Sequence, residues 1–77
     1  MKEKLLQVLS EVRPDVDFEK EKNLIDDGIL DSFDIIQVVT ELNENFDVEI
    51  SVEDLLPENF NSIEGMIELI EKLQQDE

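Results

Sequence analysis

The chain contains no cysteine and no histidine among its 77 residues. The absence of cysteine excludes disulfides, thiolate nucleophiles and cysteine metal sites. The absence of histidine excludes a Ser-His-Asp triad, and a serine without a base is a weak nucleophile toward acyl groups at neutral pH. We therefore expect no intrinsic hydrolase activity.

Basic residues are also scarce, since 6 of them stand against 22 acidic residues and the formal net charge is −16. A nucleic-acid backbone would be repelled by this charge unless the chain had a local basic patch. Most of the cations lie in residues 1–22, but acidic residues outnumber them there too. The sequence predicts no nucleic-acid partner and favours basic protein surfaces as partners.

Long apolar runs are missing as well. No stretch reaches the roughly 18 apolar residues of a membrane helix, and charges interrupt the apolar residues at the start of the chain. We therefore expect a cytoplasmic protein with no direct membrane insertion. The apolar fraction of 40% is higher than in most disordered acidic segments. The length then predicts a single domain over residues 1–77, and we expect a monomer.

Apolar residues recur at the three- and four-residue spacing of an amphipathic helix in three segments. These stripes are Leu5, Val8, Leu9 and Val12; Ile35, Val38, Val39, Leu42 and Phe46; and Ile63, Met66, Ile67, Ile70 and Leu73. They predict helices over residues 3–13, residues 32–45, and from a cap near Asn61 to about residue 74. Asn61 and Glu64 resemble a capping box. The charged tail from Gln74 to Glu77 is expected to fray.

Two connections join these helices. Residues 14–31 contain enough apolar residues to pack down, which predicts a long but ordered loop. Ser51 can cap a short helix that runs through Leu56, before Pro57 breaks it. The sequence therefore predicts an all-α fold, a small four-helix bundle with a long loop between helices one and two and a short third helix.

The many carboxylates do not by themselves indicate catalysis or metal binding. General acid catalysis needs a carboxyl group whose pKa is raised by burial in a pocket, and a chain of this length has little room for a pocket. The loop that follows helix one imitates the ligand spacing of a calcium loop, but Lys20 stands where such a loop requires glycine. We expect a solvated acidic loop and no metal site.

One segment, residues 27–34, delivers a serine to the start of helix two. A helix start is exposed because its first amides have no backbone partner, and Asp31 and Ser32 are both good acceptors for them. Ser32 and Ile36 lie in one row beside the buried stripe, so Ile36 is expected to be exposed. The outer face is expected to carry Asp34, Gln37, Glu41 and Glu44.

The residues alone leave two interpretations open. In the first, Ser32 only caps the helix, and Phe33 and Ile36 lie at the edge of the core. In the second, the acidic face steers a basic partner, Ile36 anchors it, and that partner modifies Ser32.

Residues 28–33 read Gly-Ile-Leu-Asp-Ser-Phe and resemble the Gly-x-x-Asp-Ser-Leu-like motif that opens the second helix of the acyl carrier protein family. The order and approximate lengths of the four helices resemble this family over the whole chain. The resemblance implies that Ser32 is the attachment point of a covalent 4′-phosphopantetheine, which a separate phosphopantetheinyl transferase takes from coenzyme A. The reactive sulfur then belongs to the cofactor, and the protein supplies orientation and recognition. The resemblance therefore implies a carrier that is not itself an enzyme and is modified and loaded by separate enzymes.

Within the family, residues 27–33 and the Pro-Glu-Asn-Phe of residues 57–60 resemble D-alanyl carrier proteins and stand-alone aminoacyl carriers. Such a carrier receives D-alanine from an adenylating ligase and passes it to an acyltransferase step of cell-envelope (teichoic acid) modification. The alternative is an acyl carrier of fatty-acid, polyketide or nonribosomal peptide synthesis, served by an acyl ligase and a synthase; Asp34 agrees with the fatty-acid carriers. A long acyl chain would need an apolar cleft, which Phe33, Phe46 and Phe60 could fill or line.

The resemblance also implies a set of residues that partner enzymes recognise. They are Asp31, Phe33, Asp34, Ile36, Glu41 and Glu44. A function of another class, an acidic protein-interaction module without a cofactor, needs the acidic residues but no particular residue at position 32. Replacement of Ser32 therefore discriminates between the two classes.

Overall fold

Four α-helices and one 3₁₀ turn make up the structure, a computed structural model that describes residues 1–75. The elements are α1 (Lys2–Val12), α2 (Ser32–Phe46), a 3₁₀ turn (Val52–Asp54), α3 (Pro57–Phe60) and α4 (Ile63–Gln75). Within the described residues there is no strand. The predicted all-α four-helix bundle with its long first loop is confirmed, and its short third helix lies later in the chain than predicted.

The core lies where the predicted stripes of α1, α2 and α4 meet. α1 packs against both α2 and α4, and α3 packs against α4. Burial of apolar side chains such as these is the main favourable term in folding, at about 25 cal/mol per Å² of apolar surface. The completely buried members are Leu5, Leu9, Leu24, Val38, Leu42, Met66 and Ile70.

The long loop between α1 and α2 is ordered, as predicted. Phe18, Leu24 and Leu30 are buried in the core. The loop is also tied to the end of α3, because the Leu24 amide donates to the Asn61 carbonyl at 2.9 Å. The side-chain oxygen of Asn61 accepts from the amides of Ile25 and Asp26 at 2.9 and 3.0 Å.

The predicted capping box of α4 at Asn61 is wrong by one residue. The Ser62 hydroxyl accepts from the Gly65 amide at 3.2 Å and so serves as the first-turn acceptor. Asn61 is not free for that role because its side chain binds the long loop. The choice between the two residues is therefore made by a contact that is distant in sequence.

The connection between α2 and α4 differs from the single short helix that was predicted. Ser51 caps the 3₁₀ turn, with a capping box that Asp54 completes. Pro57 then begins α3 instead of ending the preceding helix. A proline is tolerated at the first helical position because the amide that it lacks would have no partner there. The segment thus contains two short elements.

α4 ends at Gln75, within one residue of the predicted end near residue 74. The helix includes Gln74 and Gln75, and the Gln74 amide group donates to the Phe46 carbonyl at 3.3 Å. This contact ties Gln74 to the end of α2, so the predicted fraying is wrong at Gln74. The rest of the tail, residues 76–77, lies outside the described residues.

Candidate functional site

Ser32 is the first residue of α2, and the loop before it has a defined backbone. Gly28 has a φ of 71°, a conformation that glycine adopts without the steric cost of a side chain. The amides of Ile29 and Leu30 then both donate to the Leu24 carbonyl, at 2.9 and 3.0 Å. The chain therefore enters α2 from a turn that is anchored on the buried Leu24.

The N-cap of α2 is Asp31 and not Ser32. The Asp31 carboxylate accepts from the Asp34 amide at 2.9 Å, and the Asp34 carboxylate accepts from the Asp31 amide at 3.2 Å. These two bonds form a reciprocal capping box. The side chain of Ser32 is exposed and takes no part in it. The interpretation in which Ser32 caps the helix is therefore wrong, and its side chain lies exposed at the start of α2.

The predicted position of Asp34 on the outer face of α2 is wrong. Asp34 is buried, with a relative exposure of 9%. Its carboxylate receives a 2.6 Å hydrogen bond from Arg13 in addition to the bond from the Asp31 amide. These intramolecular bonds occupy the carboxylate and connect the first turn of α2 to Arg13.

Arg13 belongs to this site, and the sequence analysis gave it no role there. It is the C-cap residue of α1, and its guanidinium donates to the Ile29 carbonyl at 3.1 Å as well as to Asp34. On its solvent side it binds Asp15 through Nε at 3.0 Å and Nη2 at 2.9 Å. The hydrogen bond from Arg13 lowers the pKa of Asp15. The hydrogen bonds to Asp15 and to Asp34 raise the pKa of Arg13.

The outer face of α2 presents apolar and acidic residues together. Phe33 and Ile36 are 80% and 62% exposed, which confirms the expected exposure of Ile36. Ile36 and Glu41 line a groove of about 330 Å³ between α1 and α2. Glu44 is exposed on the same helix. Phe33 does not fill a cleft, whereas Phe46 and Phe60 are buried in the core.

Three further exposed apolar residues were missed by the sequence analysis. Val52 is 84% exposed, and Leu55 and Leu56 are 41% and 46% exposed. In the sequence, Leu55 and Leu56 form an apolar pair next to Pro57, in a segment too short to show the helical spacing of apolar residues. A small cavity of about 70 Å³ lies beside the first turn of α2, lined by Ile25, Ile35, Leu55, Leu56, Pro57 and Phe60.

The arrangement can present a hydroxyl but offers it little chemical assistance. Among residues 1–75 no group of three or more acidic, histidine or cysteine side chains is placed to hold a metal ion. The Asp31 carboxylate next to Ser32 is engaged with the Asp34 amide. A serine activated in this setting needs a base or metal from another protein. In the same described residues no helix has the length and apolarity to cross a membrane.

Comparison with known proteins gives a consistent result. Residues 3–70 match the family model described as phosphopantetheine attachment site. A D-alanyl carrier protein of Bacillus cereus is 32% identical over 76 residues, which covers 95% of each chain. One from Lactobacillus delbrueckii subsp. bulgaricus is 30% identical over 57 residues, 74% of this chain and 71% of the relative. One from Streptococcus uberis is 28% identical over 60 residues, 78% of this chain and 76% of the relative.

Proposed function

The chain belongs to the family of carrier proteins with a phosphopantetheine attachment site, and on this premise we propose that it carries D-alanine as a thioester on an arm attached to Ser32. The family match and the relatives confirm the predictions of a carrier protein and of a covalently attached 4′-phosphopantetheine. The choice of Ser32 and of D-alanine is our proposal, supported by the geometry of the site and by the similarity of the chain to D-alanyl carrier proteins.

One observation carries the assignment of Ser32. Its hydroxyl is exposed at the start of α2, while its neighbour Asp31 performs the capping. A phosphate on this hydroxyl would lie at the positive end of the helix dipole, next to the first amides of α2. Arg13 offsets the negative charge of Asp34 two residues further on. The residues present therefore fit a phosphodiester at this position.

The attachment is tested by incubating the protein with coenzyme A, magnesium and a promiscuous phosphopantetheinyl transferase, followed by intact-mass measurement and peptide mapping. We expect one phosphopantetheine on Ser32 and none on the Ser32→Ala variant. Ser10→Ala is a matched control, because Ser10 is an exposed serine on α1 and its loss should leave the reaction unchanged. Modification of Ser32→Ala would refute the assignment.

The size of the cavity beside the first turn of α2 supports an aminoacyl load over a long acyl chain. The cavity of about 70 Å³ is less than half of the roughly 150 Å³ that holds one benzene molecule. Phe60, which lines the cavity, is buried at 2% exposure. An aminoacyl group needs no cavity, because its ammonium group is most stable in water.

The cargo is tested on the modified protein. We expect an adenylating ligase to load D-alanine in the presence of ATP, and we expect a long acyl group to be loaded poorly or to remain in contact with water. Chemical-shift changes of Ile35 and Phe60 on loading with a long acyl chain would favour the alternative, a carrier of fatty-acid or polyketide and nonribosomal peptide synthesis. Failure of the wild-type protein to accept phosphopantetheine would favour the acidic interaction module.

The partners complete the proposal. They are a phosphopantetheinyl transferase, an adenylating ligase and a downstream acyltransferase, all of which supply the catalysis that the chain itself does not perform. We propose that they contact the exposed Asp31, Phe33, Ile36 and Glu44 together with the half-buried Glu41. A single domain, a monomeric state and a cytoplasmic location remain parts of the same proposal.

A further inference from the structure

Arg13 connects three parts of the chain that meet around Ser32. It ends α1, and one nitrogen, Nη1, donates both to the Ile29 carbonyl at 3.1 Å and to Asp34 Oδ2 at 2.6 Å. Ile29 lies three residues before Ser32 and Asp34 lies two residues after it. The same guanidinium therefore binds a backbone carbonyl before the serine and a side-chain carboxylate after it.

The contact with Asp34 also controls the helix cap. Asp34 Oδ2 is the atom that accepts both from Arg13 and from the Asp31 amide. If the Asp34 carboxylate turned away toward water, the capping box at the start of α2 would lose the bond from the Asp31 amide. Arg13 is thus linked to the first turn of α2 through a single shared oxygen.

The two acidic partners of Arg13 differ in exposure, and this difference identifies the one that depends on it. The Asp15 side chain is 65% exposed, so water can replace Arg13 there. The Asp34 side chain is only 13% exposed. A carboxylate in that position without its cation loses much of its solvation and a charge-assisted hydrogen bond. We expect it to move toward water when Arg13 is absent.

We propose that Arg13 is a positioning residue that holds the Ser32 hydroxyl in place for modification, by binding the Ile29 carbonyl and Asp34 on either side of it. This inference rests on the proposed attachment of phosphopantetheine to Ser32. Arg13 contacts neither the serine nor the incoming group, and its effect passes through the loop end and the capping box. The structure gives no comparable contact to the other loop cations, since Lys20 is exposed and Lys22 pairs with Glu64 on α4.

The test is the steady-state rate of phosphopantetheine transfer, with the carrier as the varied substrate. For Arg13→Gln we expect kcat to fall about 10- to 100-fold, the cost of a misplaced reacting group, with a smaller change in KM. A purely structural role gives a different result. It would lower the folded fraction and raise the apparent KM while kcat stayed constant. Arg13→Lys keeps the positive charge but not the planar guanidinium. Its kcat should therefore lie between those of Arg13→Gln and the wild type.

Three controls separate this effect from charge and from folding. Lys20→Gln removes one positive charge from the same loop, and Asp15→Asn removes the exposed partner of Arg13; both should keep the wild-type kcat. If Arg13 acts through Asp34, the double variant Arg13→Gln, Asp34→Asn should lose less than the product of the two single losses. The double variant leaves no unpaired carboxylate, so it remains informative even if Arg13→Gln folds poorly.

The outcomes have distinct meanings. A wild-type kcat in folded Arg13→Gln, an equal loss in Lys20→Gln, or full additivity in the double variant would overturn the positioning role and leave the attachment to Ser32 intact. If the wild-type protein itself accepted no phosphopantetheine, the proposed function would fail, and the inference would fail with it. Faster hydrogen exchange of the Asp31 amide, which donates to the oxygen shared with Arg13, with unchanged exchange at Leu42, would support a local displacement of the helix start in Arg13→Gln.

Discussion

Replacement of Asp31 by alanine tests whether the cap of α2 and the modified hydroxyl are separate groups. The Asp31 carboxylate accepts from the Asp34 amide at 2.9 Å, and loss of such a cap typically costs about 1 kcal/mol of stability. Ser32 is exposed and is not the cap. We therefore expect Ser32→Ala to change the free energy of unfolding by less than about 0.5 kcal/mol.

The charge of Asp31 complicates this comparison, and a third variant removes the complication. Asp31→Ala takes one negative charge from a chain of net −16, which reduces repulsion and offsets part of the lost cap. Asp31→Asn removes the same charge but keeps an oxygen acceptor, and asparagine is as good an N-cap as aspartate. The Asn and Ala variants should therefore differ by about 1 kcal/mol, the value of the cap alone. For a domain of this size the difference corresponds to roughly 4–8 °C in Tm.

The measurement is urea and thermal unfolding followed by far-UV circular dichroism, with all variants at the same pH and salt concentration. The expected order of stability is Asp31→Asn and Ser32→Ala near the wild type, with Asp31→Ala below them. If Ser32→Ala lost as much stability as Asp31→Ala, the hydroxyl would share the capping role. The separation of cap and attachment site would then be refuted.

Three further predictions concern the loop and the charge of the chain. Gly28→Ala should lower stability by about 1–2 kcal/mol in thermal unfolding, because φ is 71° there while the space around a new side chain is open; an unchanged Tm would contradict this. Arg13 lowers the pKa of Asp15 in the folded state, so this contact stabilises the fold above the unfolded pKa and is lost as the pH falls through the lower folded value. An NMR titration of Arg13→Gln should show the pKa of Asp15 higher than in the wild type. Added salt should raise Tm by screening repulsion among the acidic residues, and a salt-independent Tm would contradict that reasoning.

The burial of Asp34 could have been predicted from the helical wheel of α2. Asp34 lies four residues before Val38 and eight before Leu42, which are both completely buried. It therefore continues the most buried row of the helix into its first turn. The outer-face assignment gave more weight to the charge of the residue than to its position in the row.

Arg13 likewise continues a buried row of residues, on α1. It follows Leu5 and Leu9 at intervals of four residues, and both leucines are completely buried. Two core rows thus end in opposite charges, and the ion pair closes the core at the end where Ser32 lies. Each residue could have been placed from its own helix. Their pairing could not, because it depends on how α1 lies against α2.

The local features of the protein were determined by the sequence alone. Apolar spacing specifies the amphipathic helices, and the Gly-x-x-Asp-Ser pattern places Ser32 at the start of α2, because these features depend on residues within a few positions of one another. Only the tertiary structure decided which charged groups pair with one another and which polar side chains are free. Asp34 binds Arg13 across 21 positions, and Asn61 binds the loop across 36 positions instead of capping its own helix. Such choices depend on groups brought together by packing, and packing is a property of the whole fold.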